Sequence, residues 1–348
     1  MLTSHCDGEI ELLRAASFEP DVGFANLTRD PRTSNMRVAE YLDASATQVD
    51  SLPLISVITT SFNRARYITE TIESVLSQKY PRLEYIVIDG GSTDGSVEIL
   101  QRYSPQLAYW VSEPDRGEAH ALNKGFARCT GDLVAWLNSD DVYLPGALSS
   151  VGAAYAANPE GIIAGPVVNH WEATGREKVI QQRLEMSAML QFWSNEWSWH
   201  QPGIFFSRRA LTQLGSLLDE SLNYCMDYDL VLRLLRTCKV SMLNSPLVHF
   251  RVHESAKGGG DNFDEFLSEW SKVSKRHWPT GNSHYAQAHD KYMSNRLAIL
   301  FGQRLRRLQF RLAGRALVNA VRTNLVLKTF ESLSQLSVGW LMMSRTKT

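Results

Sequence analysis

The chain has 348 residues, 44% of them hydrophobic and 21% charged, with a formal net charge of −1. This length suits one large α/β domain with appendages, and the near-zero charge excludes a dedicated nucleic-acid binder, which needs a basic surface. The four cysteines lack zinc or disulfide spacing, and acids at Asp7, Glu9 and Glu11 interrupt any signal-peptide core, so we expect a reduced, cytoplasmic location.

Strands and helices are predicted to alternate from Leu54 onward, from short β-branched runs and from apolar residues at helical spacing. The predicted strands cover 54–60, 83–89, 107–111 and 133–137, and the predicted helices cover 67–78, 96–103 and 118–128. This order is typical of right-handed βαβ units in a mainly parallel sheet. Thr60, Asp89, Asp115 and Asp140 follow strand ends, where such sheets bind ligands.

Asn138-Ser139-Asp140-Asp141 follows the apolar strand 133–137 directly. Two adjacent carboxylates at a buried strand end repel each other and resist burial, and a divalent cation removes that cost. Mg²⁺ and Mn²⁺ take oxygen ligands and often bind one or two carboxylates together with substrate phosphates. The alternative is a solvated turn, because Asn, Ser and Asp all favour turns.

Glycines at 90, 91 and 95 lie between the second strand and the next helix. Glycine permits positive φ and a close backbone approach, which a nucleotide-binding loop needs. A plain glycine-rich turn is the alternative. Asp89 at the start of this loop can accept a hydrogen bond from a uracil N–H, or can simply cap the turn.

Five ordered motifs together resemble glycosyltransferase family 2 on the GT-A fold. They are Ile55–Asn63, Tyr85–Ser96, Glu113–Gly117, Ala121–Gly125 and Leu137–Asp141. The close resemblance runs from about Pro53 to Leu148, and a looser one continues to about Lys257. It implies a mainly parallel, Rossmann-like nucleotide-diphospho-sugar transferase sheet with a helical C-terminal extension.

The resemblance also implies site residues and an activity. The positions matched to donor binding are Thr60, Phe62, Asn63, Asp89, Gly91, Ser92, Asp94, Asp115, Arg116, Asn123, Lys124, Ser139 and Asp140. The activity is that of an inverting, hexosyltransferase-type enzyme with Mn²⁺ or Mg²⁺ as cofactor. It would move a sugar from a nucleotide diphosphate sugar, with UDP favoured, to a hydroxyl of a glycan or lipid-linked acceptor in surface or extracellular polysaccharide synthesis.

The second half of the chain supplies the remaining candidates. Asp227, in Met226-Asp227-Tyr228-Asp229, matches the family's general base, with a first-turn helix acid as the alternative. His253 matches the histidine that joins Asp140 and Asp141 at the metal, although a lone histidine is usually structural. His200 and Gln201 fall on the acceptor side.

Two departures from the family pattern leave other functions open. Asn138 stands where the family commonly has Asp, and Met226 replaces the Glu of a Glu-Asp pair. A non-catalytic nucleotide-sugar-binding scaffold is therefore one alternative, and a nucleotidyltransferase of similar topology is another. A dehydrogenase is disfavoured, because Thr60-Ser61-Phe62-Asn63 replaces the glycine fingerprint after the first strand.

We divide the chain into an extension at 1–52, a GT-A domain at 53–257 and a helical region at 258–348. The last region is basic and amphipathic, with arginines at 296, 304, 306, 307, 311, 315 and 322 among apolar residues. Residues 325–343 are too polar for a membrane span. The region can lie on an anionic membrane, or it can be helices that pack on the core or on a second subunit in a homo-oligomer.

Overall fold

The computed structural model describes residues 51–157, 159–192, 194, 198–253, 263–279, 283–306, 315, 317 and 318. The predicted alternation of strands and helices is confirmed, with boundaries that move by two residues or fewer. The short helix that the sequence suggests at 36–42 and the glycine-rich stretch at 257–262 lie outside the described residues.

The chain is named here by its elements in order. The described strands are β1 (Ile55–Ser61), β2 (Leu83–Asp89), β3 (Tyr109–Ser112), β4 (Leu133–Trp136), β5 (Val142–Tyr143), β6 (Ile162–Ala164), β7 (Val167–Trp171), β8 (Arg176–Ile180), β9 (Ile204–Ser207), β10 (Val240–Met242) and β11 (Val248–Val252). The described α-helices are α1 (Ile68–Leu76), α2 (Ser96–Tyr103), α3 (Glu118–Phe126), α4 (Ala147–Ala157), α5 (Met186–Leu190), α6 (Arg208–Gln213), α7 (Met226–Leu234), α8 (Phe263–His277) and α9 (Ser283–Arg306).

The main sheet has seven strands in the order β10-β6-β9-β4-β1-β2-β3. β1 lies between β2 and β4 and is parallel to both, whereas β9 is antiparallel to its neighbours β4 and β6. The register pairs Ser61 with Asp89, and Asp89 with Ser112. The carboxyl ends of β1, β2 and β3 are therefore level with one another and form one edge, as the sequence predicts.

A second sheet has four strands in the order β5-β11-β7-β8. β5 follows Asp141 immediately, so this sheet begins where the Asn-Ser-Asp-Asp turn ends. β11 is parallel to β7, with Val252 opposite Trp171, and antiparallel to β5. The residue after β11, His253, is thereby brought back toward the turn that follows β4.

Each face of the main sheet carries an apolar core. Val57 and Ile58 are both fully buried but belong to different cores, because successive strand side chains point to opposite faces. Helices α1, α2 and α4 cover the first face, together with part of the second sheet. Helices α3, α7, α8 and α9 cover the other.

The C-terminal helices are part of this second core. Trp270 of α8 and Met293 and Leu297 of α9 are buried in the same cluster as Trp136 of β4. The described helices of this region therefore support the packed-helix alternative as far as α9, and the division between 257 and 258 stays a prediction. No helix within the described residues combines the length and apolar character that a membrane crossing requires.

Candidate active site

The loops that follow β1 and β2 are tied together by polar side chains. Asn63, which has a positive φ of 53°, accepts from the Thr93 N–H at 2.9 Å and donates its own N–H to Ser92 Oγ at 2.8 Å. Asp94 accepts from the N–H of Ala65 at 2.9 Å. Asn tolerates this left-handed conformation better than most residues. Asn63, Ser92 and Asp94 therefore hold the two loops of the predicted donor site against each other.

Asp89 is fully buried and saturated by protein donors. Its carboxylate accepts from the N–H groups of Gly91 (3.1 Å) and Ser92 (2.8 Å) and from the hydroxyls of Ser92 (2.5 Å) and Ser112 (2.7 Å). The adjacent Gly91 needs the freedom of glycine, since its φ is +85°. The structure thus places Asp89 as the cap of this turn, and its contact with a base stays a prediction.

A gap at Gly90 separates an exposed aromatic ring from a carboxylate. A Cβ on Gly90 would lie 2.6 Å from Asp115 Oδ2 and 3.3 Å from Phe62 Cδ2. The Phe62 side chain is 60% exposed, and Asp115 Oδ1 accepts the Gly117 N–H at 2.8 Å. A base could stack on the aromatic ring and donate its N–H to the carboxylate oxygen beside it. Thr60 is buried at the end of β1 below them.

Arg116 and Asn123 contact the segment before α7. The Arg116 guanidinium lies 2.6 Å from a carboxylate oxygen of Glu220. The Asn123 amide donates to the Leu218 carbonyl at 3.0 Å and accepts from the Leu218 N–H at 3.1 Å. The carboxamide of Asn123 therefore connects α3 to the 218–220 segment, and its predicted contact with the donor stays a prediction.

Two further basic residues border the site. Lys124 Nζ lies 2.7 Å from a carboxylate oxygen of Glu113, so this ion pair offsets part of the charge that Lys124 could bring to a phosphate. Arg64 was not singled out by the sequence, although it directly follows the Ser61-Phe62-Asn63 motif. Its N–H donates to Ser96 Oγ at 3.1 Å, and its Nε lies 3.8 Å from Asp140 Oδ2. Arg64 thus spans the distance between the nucleotide loops and the predicted metal site.

Asp140 and His253 lie side by side, as the resemblance implies. Asp140 Oδ2 is 3.2 Å from His253 Nε2, and the imidazole stacks on Tyr67 with ring centroids 5.0 Å apart. Two ligands of one octahedral ion at Mg²⁺ distances lie roughly 3 Å apart. Asp140 and His253 therefore have the spacing of two ligands of one divalent cation, and together could hold it.

Asp141 lies deeper than Asp140. Its side chain is buried, and Oδ1 accepts the N–H of Arg251 at 3.0 Å. Burial and the neighbouring charge of Asp140 raise the pKa of Asp141 well above its usual range. The described residues contain no cluster of three His, Cys, Asp or Glu side chains that could hold a metal by themselves. The predicted ligand role of Asp141 therefore stays a prediction, whereas its contact with Arg251 anchors the turn to β11.

The other residues of this turn also face inward. Ser139 is buried, and the buried Asn138 Oδ1 atom has no hydrogen-bond partner among the residues that the structure describes. Buried polar atoms are rarely left unpaired in proteins unless a water or a ligand serves them. Asn138 therefore places an amide oxygen at the position where the family commonly has a charged Asp.

Asp227 lies in the first turn of α7, whose N-terminus favours a negative charge. The carboxylate accepts the N–H of Tyr228 at 2.7 Å. No side chain next to the first turn caps this helix; instead Glu269 of α8 accepts the N–H groups of Asn223 (2.9 Å), Tyr224 (2.5 Å) and Cys225 (2.8 Å). Sequence reasoning missed Glu269, since nothing local links residue 269 to residue 225.

Asp229 has a structural place on the far side of the same turn. It is buried, lies 2.8 Å from Arg233 Nε and 3.5 Å from His277 Nε2. Burial alone would raise the pKa of Asp229, but the hydrogen bond from His277 and the charge of Arg233 lower it below its usual range. Asp229 is therefore engaged in the fold, and Asp227 stays the predicted base.

His200 and Gln201 connect the metal side to the helix of Asp227. The His200 ring lies 4.8 Å from that of Phe250 in β11, and burial lowers its pKa to about 4. Gln201 donates to the carbonyl of Trp136, at the end of β4, at 3.1 Å. Trp199, the residue before His200, contacts Tyr228 with ring centroids 5.9 Å apart. The 199–201 segment is thus in contact with β4, β11 and α7 at once.

The comparisons with known proteins agree with this geometry. Residues 56–220 match the family model described as Glycosyl transferase family 2. An uncharacterized glycosyltransferase of Mycobacterium tuberculosis is 49% identical over 92 residues, which is 26% of this chain and 35% of the relative. TuaG of Bacillus subtilis, whose name assigns it to teichuronic acid biosynthesis, is 45% identical over 92 residues, or 26% and 36% of the two chains. These matches therefore span only about a third of either relative.

Solved structures show the same fold at low identity. TarS of S. aureus in complex with UDP-GlcNAc superposes with a TM-score of 0.59 and 16% identity, covering 82% of this chain and 92% of TarS. The mannosyltransferase PcManGT of Pyrobaculum calidifontis, solved with GDP-Man and Mn²⁺, gives a TM-score of 0.53 and 17% identity over 97% of this chain and 90% of the other. This chain therefore contains, at residues 56–220, a segment that matches glycosyltransferase family 2, and its fold is that of TarS and PcManGT.

Proposed function

We propose that this protein is an inverting, divalent-metal-dependent glycosyltransferase that moves a sugar from a UDP-linked donor to a hydroxyl of a glycan or lipid-linked acceptor. One observation carries the proposal. Asp140 and His253, 113 positions apart in the chain, lie 3.2 Å apart at the sheet edge where the two nucleotide loops end. Arg64 connects that pair to those loops.

The donor nucleotide would lie between Phe62 and Asp115. The exposed ring offers a stacking surface, and Asp115 Oδ2 offers an acceptor for the single N–H of uracil. Asp89 would not contact the nucleotide itself but would fix the conformation of the glycine-rich loop. A uridine donor also agrees with the UDP-GlcNAc complex of TarS, although PcManGT was solved with GDP-Man. Arg64, and Arg116 or Lys124 once freed from their acids, would balance phosphate charge.

Asp227 would act as the general base. It takes the proton of the acceptor hydroxyl while that oxygen forms a bond to the anomeric carbon. The bond from the anomeric carbon to the diphosphate oxygen breaks, and its electron pair leaves with the nucleoside diphosphate. A cation held by Asp140 and His253, either Mn²⁺ or Mg²⁺, would supply positive charge to the departing diphosphate. Because attack comes from the face opposite the leaving group, the anomeric configuration inverts.

The assignment to surface or extracellular polysaccharide synthesis follows from the acceptor class proposed here. It is supported by the name of TuaG, which matches a quarter of this chain.

Calorimetry with UDP and with a panel of nucleotide sugars, each with and without Mn²⁺, tests this function. We expect UDP and at least one UDP-sugar to bind only when the metal is present, and that sugar nucleotide to be hydrolysed slowly without an acceptor. NMR of the released or transferred sugar then gives its configuration. Metal-dependent binding without any turnover would favour the non-catalytic scaffold, and no nucleotide binding would exclude both.

A further inference from the structure

The inner face of the second sheet extends beyond the apolar core. Val167 and Val248 lie opposite each other on this face and are buried in the core. Two residues further along the same strands, Asn169 lies opposite Phe250, and after two more, Trp171 lies opposite Val252. Because side chains alternate along a strand, all of these residues share one face. The wall defined by Asn169, Trp171 and Phe250 therefore continues the core toward the edge that carries His253.

This wall carries polar atoms that no described residue serves. Asn169 is 9% exposed, and its Oδ1 has no hydrogen-bond partner. The same is true of the buried indole Nε1 of Trp171. Buried polar atoms are nearly always hydrogen-bonded, so an unpaired acceptor and an unpaired donor on one wall indicate a missing polar partner. An amide beside aromatic rings matches a saccharide, which presents hydroxyls at its edge and C–H groups on its face.

The wall is connected to the helix of Asp227 through residues 199–201. The Phe250 ring lies 4.8 Å from the ring of His200. Gln201, which follows His200, is hydrogen-bonded to the end of β4. Trp199, which precedes His200, contacts the helix of Asp227. A molecule on this wall would therefore lie beside the segment that joins β4 to the helix of the proposed base.

Positive charge borders the wall. β8 pairs Arg176 with Trp171, and Lys178 with Asn169, so both basic residues lie on the same face. The exposed Arg176 guanidinium lies over the Trp171 ring at 5.4 Å, a stacking that leaves the N–H groups at its edge available. Glu177 points to the opposite face, where it contacts His170 and His249.

We propose that this wall is the acceptor subsite and that it selects a saccharide bearing an acidic group, either a uronic carboxylate or a phosphate. Asn169 and Trp171 contact hydroxyls, Phe250 packs against the sugar face, and Arg176 pairs with the acid. This inference rests on the proposed transferase function and adds the chemical class of its acceptor.

Saturation-transfer NMR with methyl glycosides tests the subsite without requiring turnover. The probes are methyl glucoside, galactoside and mannoside, each in neutral, uronic-acid and 6-phosphate form, with UDP and Mn²⁺ saturating. We expect at least one acidic glycoside to bind at least tenfold more tightly than its neutral counterpart. Arg176→Ala should remove that advantage, and Asn169→Ala should weaken neutral and acidic forms alike. Arg209→Ala, an exposed arginine of α6 paired with Glu160, is the matched control and should change neither.

The outcomes separate this inference from the proposed function. An equal preference for acidic forms in wild type and Arg176→Ala would overturn the role of Arg176, and no glycoside binding at all would overturn the subsite. The better-bound acidic form identifies carboxylate or phosphate as the natural group. If UDP binds and no glycoside does, the transferase proposal stands without the subsite. If glycosides bind and UDP does not, the transferase proposal fails while the wall keeps a saccharide.

Discussion

His253 Nε2 lies 3.2 Å from Asp140 Oδ2, although the two residues come from different sheets. The contact closes the site between β4 and β11 and makes metal binding testable by paired substitutions. We expect Asp140→Ala to abolish the Mn²⁺ dependence of UDP affinity, and His253→Ala to weaken it more modestly, since that variant loses no charge. Calorimetry at several Mn²⁺ concentrations measures both.

Asp141→Asn is the control for that pair. Its amide oxygen can still accept the Arg251 N–H, and it removes a buried carboxylate whose pKa is raised. We therefore expect metal-dependent UDP affinity close to that of the wild type. A loss of affinity in Asp141→Asn equal to that in Asp140→Ala would instead support Asp141 as a metal ligand.

Asp227 and Asp229 should fail in different assays. Asp227→Asn should leave UDP affinity nearly intact and lower turnover more than tenfold, which corresponds to a barrier increase above about 1.4 kcal/mol. Asp229→Asn should instead destabilise the fold by about 3 kcal/mol, because it removes the buried carboxylate that pairs with Arg233 Nε and contacts His277 Nε2. Turnover and chemical denaturation of the two variants measure this. If Asp227→Asn keeps a tenth or more of the activity, another residue is the base.

Substitutions at Phe62 and Asp89 distinguish a residue that contacts the nucleotide from one that holds the loop in shape. Phe62→Ala should weaken UDP binding at least tenfold without a change in Tm, because the ring is 60% exposed. Asp89→Ala should lower Tm, because four protein donors lose their acceptor. An Asp89→Ala variant with wild-type Tm and greatly reduced UDP affinity would show that Asp89 contacts the base after all.

His200 predicts a slope in stability against pH. Its folded pKa of about 4 lies below the ordinary value of 6.5, so the unfolded state binds the proton first as pH falls. This contribution is complete above about pH 6.5, is lost between there and pH 4, and amounts to at most about 3 kcal/mol. His200→Phe keeps a ring beside Phe250 and should flatten this part of the profile. Denaturant titrations at pH 7, 6 and 5 measure it, and identical slopes would contradict it.

The basic C-terminal segment can be tested by a chain that ends at Arg306. A cut at Asp290 would remove Met293 and Leu297 from the core, whereas a cut after Arg306 leaves α9 in place. We expect the shortened protein to keep its Tm and donor hydrolysis but to lose flotation with anionic vesicles. Attraction to anionic lipid is worth about 1 kcal/mol per basic residue and is screened by salt.

Full-length protein with neutral glutamines at 307, 311 and 322 is the matched control for that cut. It should lose flotation as the shortened chain does. If the full-length wild type binds zwitterionic and anionic vesicles equally, or binds neither, the membrane contact is wrong.

The sequence predicted the sheet edge because local periodicity defines the strands, and parallel strands end together. Thr60, Asp89 and Asp140 could therefore be placed before the structure was known. What each side chain does there depends on distant neighbours. The saturation of Asp89 by Ser112 and the contact of Asn123 with Leu218 join residues 23 and 95 positions apart. No spacing rule predicts such contacts, because tertiary packing decides them.

Glu269 supports the proposed active site from outside the segment that matches the family. The family match ends at residue 220, yet the N–H groups of the three residues before the helix of Asp227 are held by a carboxylate from α8. The proposed base therefore takes its orientation from a part of the chain that a family-based boundary would discard. Inheritance of this activity, by gene fusion or by shuffling of domains, would require residues 221–277 to travel with the nucleotide-binding half.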